Sequence, residues 1–324
     1  MKILTAIVGC LALAVQATGQ STTVIVDTDA GSDDLMAIAY LLARPDVRIE
    51  AITVVDGMAH VRSGGANILK LLALSRHTEV PVYLGTETHL QETAEFPDAW
   101  RRISDNLPGV KLPTSARMPE KMEASKWLTS RLRDRSKPVV MLALGPLTNL
   151  ARAIQHERSA ALNLNRLVIM GGALHVPGNL GDGGAYKTKN TRAEWNIFAD
   201  PLAAQIVFGS GAKIELIPLD ATSKVPIDIT FLKQFRALAR TPLARFVTEV
   251  LESDHEAIEG GYFQAWDPLA AVSLTNPRVV TRVSIAVQVG ADGSTAQTDG
   301  KPNATVALDA NPEEFKRVFR KALQ

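Results

Sequence analysis

An α/β fold, with helices on both faces of an open, mainly parallel (mixed) sheet, is predicted by three features of this sequence. Short apolar, β-branched runs alternate with longer helix-patterned segments along nearly the whole chain. The first such run ends in an acidic turn that opens directly into a helical segment. No internal repeat or Ser/Pro-rich linker divides the chain, so the 324 residues read as a single Rossmann-like domain. With 46% apolar and 21% charged residues there is material for a large core and no compositional sign of disorder. A formal net charge of +1 offers no electrostatic case for nucleic acid as a partner.

Taken in order, residues 1–19 carry Lys2, an apolar run over 3–15 and the small residues Ala17-Thr18-Gly19. That pattern is a secretory signal peptide, too short to anchor in a membrane, with cleavage near Ala17 or Gly19. The sole cysteine, Cys10, lies inside it, so a mature chain over residues 20–324 is expected to be secreted or periplasmic, free of disulfides and of any membrane span. Residues 24–28 read as a buried strand and 35–42 as a helix; 48–55 and 61–74 repeat the pair, and 81–84 form a short third strand. Residues 86–119 lose periodicity, which in a stretch of this length marks a functional or disordered segment. A helix over 119–134 and a strand over 139–144 follow, then Gly145-Pro146-Leu147-Thr148-Asn149, with Pro at a helix start and Thr148 and Asn149 as structural caps. Residues 166–170 and 213–219 read as strands flanking a glycine-rich excursion, and 230–259 as mostly helical. Trp266-Asp267-Pro268 opens a further helix, and strands near 283–289 and 304–308 precede a last helix from Pro312.

The acidic turn runs Asp27-Thr28-Asp29-Ala30-Gly31-Ser32-Asp33-Asp34, with Gly31 allowing the turn and Asp33 suited to cap the helix. Two unit charges 4 Å apart at an effective dielectric of 20 interact by about 4 kcal/mol. A helix N-terminus returns only about 0.3–1 kcal/mol per charge, so it cannot carry four carboxylates alone. Either some of them are protonated or a cation sits among them. An all-oxygen donor set without His or Cys favours calcium or magnesium. Other chemistries fail on spacing: the Asp-x-Asp phosphatase pattern meets Gly31 in its last position, an EF-hand loop meets Ser32 and Ile38, and no Gly-x-Ser-x-Gly, His-Glu-x-x-His or Walker loop is present. The six histidines are scattered away from the carboxylate motifs and read as surface or packing residues.

The turn resembles the amino-terminal motif of the nucleoside hydrolase family. Further segments resemble later family blocks in the same order: Gly145 to Asn149, Met170-Gly171-Gly172-Ala173, Gly178-Asn179, Ala193-Glu194-Trp195-Asn196 with Asp200-Pro201, and Trp266-Asp267-Pro268. This resemblance covers nearly all of the mature chain. It implies calcium-dependent hydrolysis of the N-glycosidic bond of ribonucleosides, with a small-molecule nucleoside as substrate and a dimer or tetramer as the assembly.

Carried over by position, Asp29, Asp34, Asp267 and the main-chain carbonyl of Leu144 are the expected calcium ligands, and Asp29 the catalytic base toward water. Asp33, Asn179, Glu194 and Asn196 are expected on the ribose hydroxyls, with Met170 and Asp267 also against substrate, while Asp27 supports the ligands. Phe96-Pro97-Asp98-Ala99-Trp100 and Trp266 resemble the purine-preferring branch, in which two indoles sandwich the base; stacking is worth roughly 1–3 kcal/mol per base. Trp195 is assigned to the core. The chain departs from the pattern at Met58, where the family commonly has Asn and the purine-preferring branch Asp. The excursion over 181–189 is longer than usual and is expected to cover the 5′ side of the ribose.

Overall fold

β1 (Thr22–Thr28) runs through the acidic turn into α1 (Ser32–Leu42), followed by β2 (Val47–Val54), α2 (Val61–Ser75) and the short β3 (Val82–Leu84). Next come α3 (Asp98–Asn106), α4 (Ala124–Arg133), β4 (Val139–Ala143) and α5 (Thr148–His156). A 3-10 segment (Arg158–Asn163) precedes β5 (Leu164–Met170), after which α6 (Trp195–Ala199) and α7 (Pro201–Phe208) lead to β6 (Ile214–Ile217). α8 (Leu219–Thr222), α9 (Ile229–Leu238), α10 (Pro242–Ser253), α11 (His255–Glu259) and α12 (Trp266–Thr275) follow in succession. β7 (Val280–Val289), β8 (Thr295–Thr298), β9 (Ala304–Ala310) and α13 (Pro312–Leu323) close the chain. This computed structural model describes residues 21–93, 95–182 and 186–324. The expected signal peptide and the centre of the 181–189 excursion lie outside the described residues.

The strands form one sheet in the order β3-β2-β1-β4-β5-β6-β9-β7-β8. Pairing is parallel from β3 through to β9, and β7 is antiparallel to both β9 and β8. Side chains alternate across the strands. Val24, Val26, Leu142 and Val168 therefore enter a core beneath α1, α2 and α8 to α13, while Ile25, Met141, Leu167 and Ile169 enter another beneath α4, α5 and α7. The predicted two-faced sheet is thus present, and the apolar runs are near-continuous because both faces are buried.

Order reverses at β1, with β2 and β3 to one side and β4 onward to the other. Such a switch point leaves a crevice at the carboxyl ends of the two central strands, here occupied by the acidic turn and Leu144. α1 packs against α12, which sets the start of one helix beside the start of the other.

Several local expectations are corrected. The cap of α1 is Gly31 rather than Asp33: the helix begins at Ser32, and Asp34 takes the capping role by accepting the Gly31 N–H at 3.1 Å. Ala30, at φ 57°, supplies the left-handed turn expected of Gly31, whose φ is −61°. Crowding favours glycine at 31 instead, since a Cβ there would lie 3.0 Å from Asp34 Oδ2 and 3.2 Å from the Met58 Cβ. The helix expected from Pro119 starts at Ala124, because the Glu120 N–H donates to Val82 O and holds that segment extended along β3. Inside the aperiodic stretch 86–119 stands the nine-residue α3. Thr148 and Asn149 do not cap α5, whose cap is Leu147; they tie it to other elements through Asp200 and Asp27.

Candidate active site

Asp27, buried near the end of β1, accepts from Thr53 Oγ1 at 2.5 Å and Asn149 Nδ2 at 2.9 Å, joining β1, β2 and α5 beneath the crevice. Burial pushes its carboxyl up to about 7. Asp27 therefore ties the start of the turn to β2 and α5.

Above it four carboxylates converge. Asp33, Asp34 and Asp267 bring oxygens within 4.8 Å of one another, and Asp29 stands beside them, where the charge of Asp34 acts on it. Thr28 Oγ1 donates to Asp34, and the Met58 N–H donates to Asp29 Oδ2 at 2.9 Å. Burial, then the charge of Asp34, holds Asp29 well above the carboxylate range; the same two causes act on Asp267. Burial and neighbouring charge raise Asp33 to about 7 and Asp34 to about 6. Carboxylates in contact must share a proton or a cation, because both are acceptors only when ionised. One oxygen of Asp267, Oδ1, is buried without a hydrogen-bond partner. The hard oxygen donors and this unpaired oxygen fit a divalent cation of the calcium or magnesium type.

The remaining expected residues are tied to the ends of β4 and β5 and to α6. The Leu144 carbonyl at the end of β4 accepts from Asn196 Nδ2 at 2.6 Å, which also donates to the Met170 carbonyl at 3.3 Å. Glu194 caps α6, accepting from the N–H groups of Gly172, Asn196 and Ile197, and burial pushes it up to about 7. Asn179 accepts from the Trp195 N–H at 3.1 Å through Oδ1. Asn196 is thus committed to joining the ends of β4 and β5, whereas Asn179 accepts through Oδ1 alone among the described residues.

The aromatic residues divide. Trp100 is half-buried on α3 and meets Trp195 edge-on at 5.8 Å, beside Met58 and Phe96. Trp195 is buried, as assigned, stacked on Phe96 at 4.8 Å. Trp266 packs on Phe263 at 5.4 Å, against the core that includes α12.

Sequence reasoning missed a fifth carboxylate, Asp254. It lies after α10, near enough to Asp33 to raise it electrostatically, and carries a buried oxygen without a partner among the described residues. It also set aside His89, which bonds to the Asp56 carbonyl at 3.1 Å inside a buried charged group with Arg101. No motif marks either residue; their signal is contact between elements.

Comparison with known proteins fits this geometry. The sequence profile described as inosine-uridine preferring nucleoside hydrolase matches residues 24–317. The pyrimidine-specific ribonucleoside hydrolase RihA of Salmonella agona is 31% identical over 316 residues, covering 93% of this chain and 98% of that protein. Among solved structures, a purine-preferring ribonucleoside hydrolase from Gardnerella vaginalis superposes with a TM-score of 0.80 at 28% identity, covering 93% of this chain and 98% of its own. An inosine-uridine preferring nucleoside hydrolase from Bacillus anthracis shares the fold, with a TM-score of 0.79 at 23% identity over 93% of this chain and 99% of its own.

Proposed function

The chain belongs to the inosine-uridine preferring nucleoside hydrolase family, hydrolases of the N-ribosyl bond, and we propose that it is calcium-dependent and prefers purine ribonucleosides. The observation that carries this reading is the meeting of Asp29, Asp33 and Asp34 with the distant Asp267 at the β1/β4 switch point.

Asp29, Asp34, Asp267 and the Leu144 carbonyl would hold the calcium ion, which when bound supplies positive charge to the cluster, orients the ribose 2′ and 3′ hydroxyls and acidifies water. Asp29 takes the proton as a water oxygen bonds to the anomeric carbon. The C–N bond breaks with its electron pair going to the base, which takes up a proton from solvent water at a ring nitrogen and leaves neutral. Asp33, Asn179 and Glu194 hold the ribose hydroxyls, and their charge and dipoles stabilise the cationic character at the anomeric carbon. Asn196 and Met170 contribute to the same wall through the bond that joins the ends of β4 and β5.

Trp100 and Trp266 support purine preference: both are half-buried indoles on elements that border the crevice. A base between two electron-rich rings gains stacking energy and basicity at once. A pyrimidine reading is favoured by the 31% identity to a pyrimidine-specific relative and by Met58 in place of a polar contact. Export, supported by residues 1–19, and assembly as a homodimer or tetramer complete the proposal. No helix among the described residues is long and apolar enough to cross a membrane.

The test is a panel of inosine, guanosine, adenosine, uridine and cytidine, assayed for free base with and without a calcium chelator. Release from purines and little from pyrimidines, abolished by the chelator and restored by calcium, supports the reading. Equal rates on uridine remove the purine preference, and chelator-resistant turnover removes the metal.

A further inference from the structure

The segment after β2 grips Asp29 from two sides. Met58 N–H donates to Asp29 Oδ2 at 2.9 Å and Ala59 N–H donates to the Asp29 carbonyl at 2.9 Å. The approach at Gly57 is so close that a Cβ there would lie 2.6 Å from the Asp29 Cβ. This segment begins at Asp56, which is 5% exposed and accepts from Arg101 Nη2 at 2.7 Å; Arg101 is 4% exposed. His89 donates to the Asp56 carbonyl and lies 4.0 Å from its carboxylate. A second polar tie, His60 to Asp105, joins the next residues of the segment to the end of α3.

A buried Arg–Asp pair is costly to desolvate and is often replaceable by neutral residues without loss of stability. The burial of this pair in the segment whose Met58 and Ala59 N–H groups donate to Asp29 therefore calls for a reason other than stability. We propose that Asp56 and Arg101 are positioning residues: they fix residues 56–58 so that the Met58 N–H aims the Asp29 carboxylate, and they tie that carboxylate to the helix carrying Trp100. The inference rests on the role proposed for Asp29. It predicts that base recognition at α3 and orientation of the water-activating group are mechanically joined, because Trp100 and Arg101 are neighbours on one short helix.

The test uses the full chain and the double variant Asp56→Asn/Arg101→Gln, which leaves a polar amide at each position and removes both charges. Melting temperature, calcium affinity by calorimetry, and kcat and KM for inosine are compared with wild type. The double variant is expected to keep a melting temperature near wild type while calcium affinity and kcat each fall about 10–100-fold, as for other residues behind a ligand. KM should move less than kcat. Arg101→Lys, which keeps a cation against Asp56, should retain most of the wild-type kcat; it carries the test alone if the double variant does not fold. Unchanged kcat and calcium affinity in the double variant overturn the proposal, as does Arg101→Lys losing kcat only in step with stability. Wild-type protein that releases base from no nucleoside overturns the hydrolase reading instead, and the calcium titration still reports on the pair.

Discussion

Asp34 and Asp267, from the first turns of α1 and α12, place carboxylate oxygens within 4.8 Å of each other although they stand near opposite ends of the chain. Packing of α1 on α12 imposes this contact, and burial makes it unfavourable for two anions. A bound divalent cation would relieve it.

Metal removal should therefore lower stability as well as activity. Calcium at a hundred times its Kd adds about 2.7 kcal/mol to the folded state. Differential scanning calorimetry in chelator and in excess calcium should show a melting temperature several degrees higher with the ion. No shift would mean that the cluster relieves its repulsion with protons alone.

Asp29→Asn keeps the side-chain volume and removes the base. Loss of general-base catalysis costs about 10²–10⁴-fold in kcat. Inosine should still bind in equilibrium dialysis. Turnover within a few-fold of wild type would take Asp29 out of the base role.

Trp266→Ala and Trp100→Ala should each cost roughly 1–3 kcal/mol in kcat/KM for inosine, the worth of one base–aromatic stack. The corresponding loss for uridine should be smaller. A purine rate unchanged by Trp266→Ala would assign that indole to packing on Phe263.

In chelator, stability should fall as pH rises. Glu194 stands at about 7 in the folded protein against 4.5 ordinarily, because burial disfavours its charged form. Between those values the folded state binds more protons than the unfolded one, so this contribution is full below about 4.5 and lost through about 7. Asp27 and Asp33, also near 7, act in the same direction. Melting temperatures across this range should decline in chelator, less steeply in Glu194→Gln, and the gain from calcium should grow with pH. A flat profile would show that these groups are not perturbed.

Elements with a repeating pattern were legible from the residues alone. β1, β2, β4 and β5 announce themselves as β-branched runs, and the turn from Asp27 to Asp34 marks the site because its charge density has no local remedy. α3 was not legible: it is nine residues long, and its two buried side chains, Arg101 and Ser104, are polar, so no apolar stripe signals it. The left-handed Ala30 escaped notice for a similar reason, since nothing in an alanine advertises φ 57°.

What the sequence by itself determined is the alternation of strands and helices, the acidic turn and the order of the family's segments, since each is carried by neighbours along the chain. Only the tertiary structure decided that Asn196 bridges Leu144 and Met170, and that Asp56, Arg101 and His89 form one buried group behind Asp29. Those contacts join residues far apart in the chain, and their energies come from burial and proximity, which exist only once the sheet and its helices have packed.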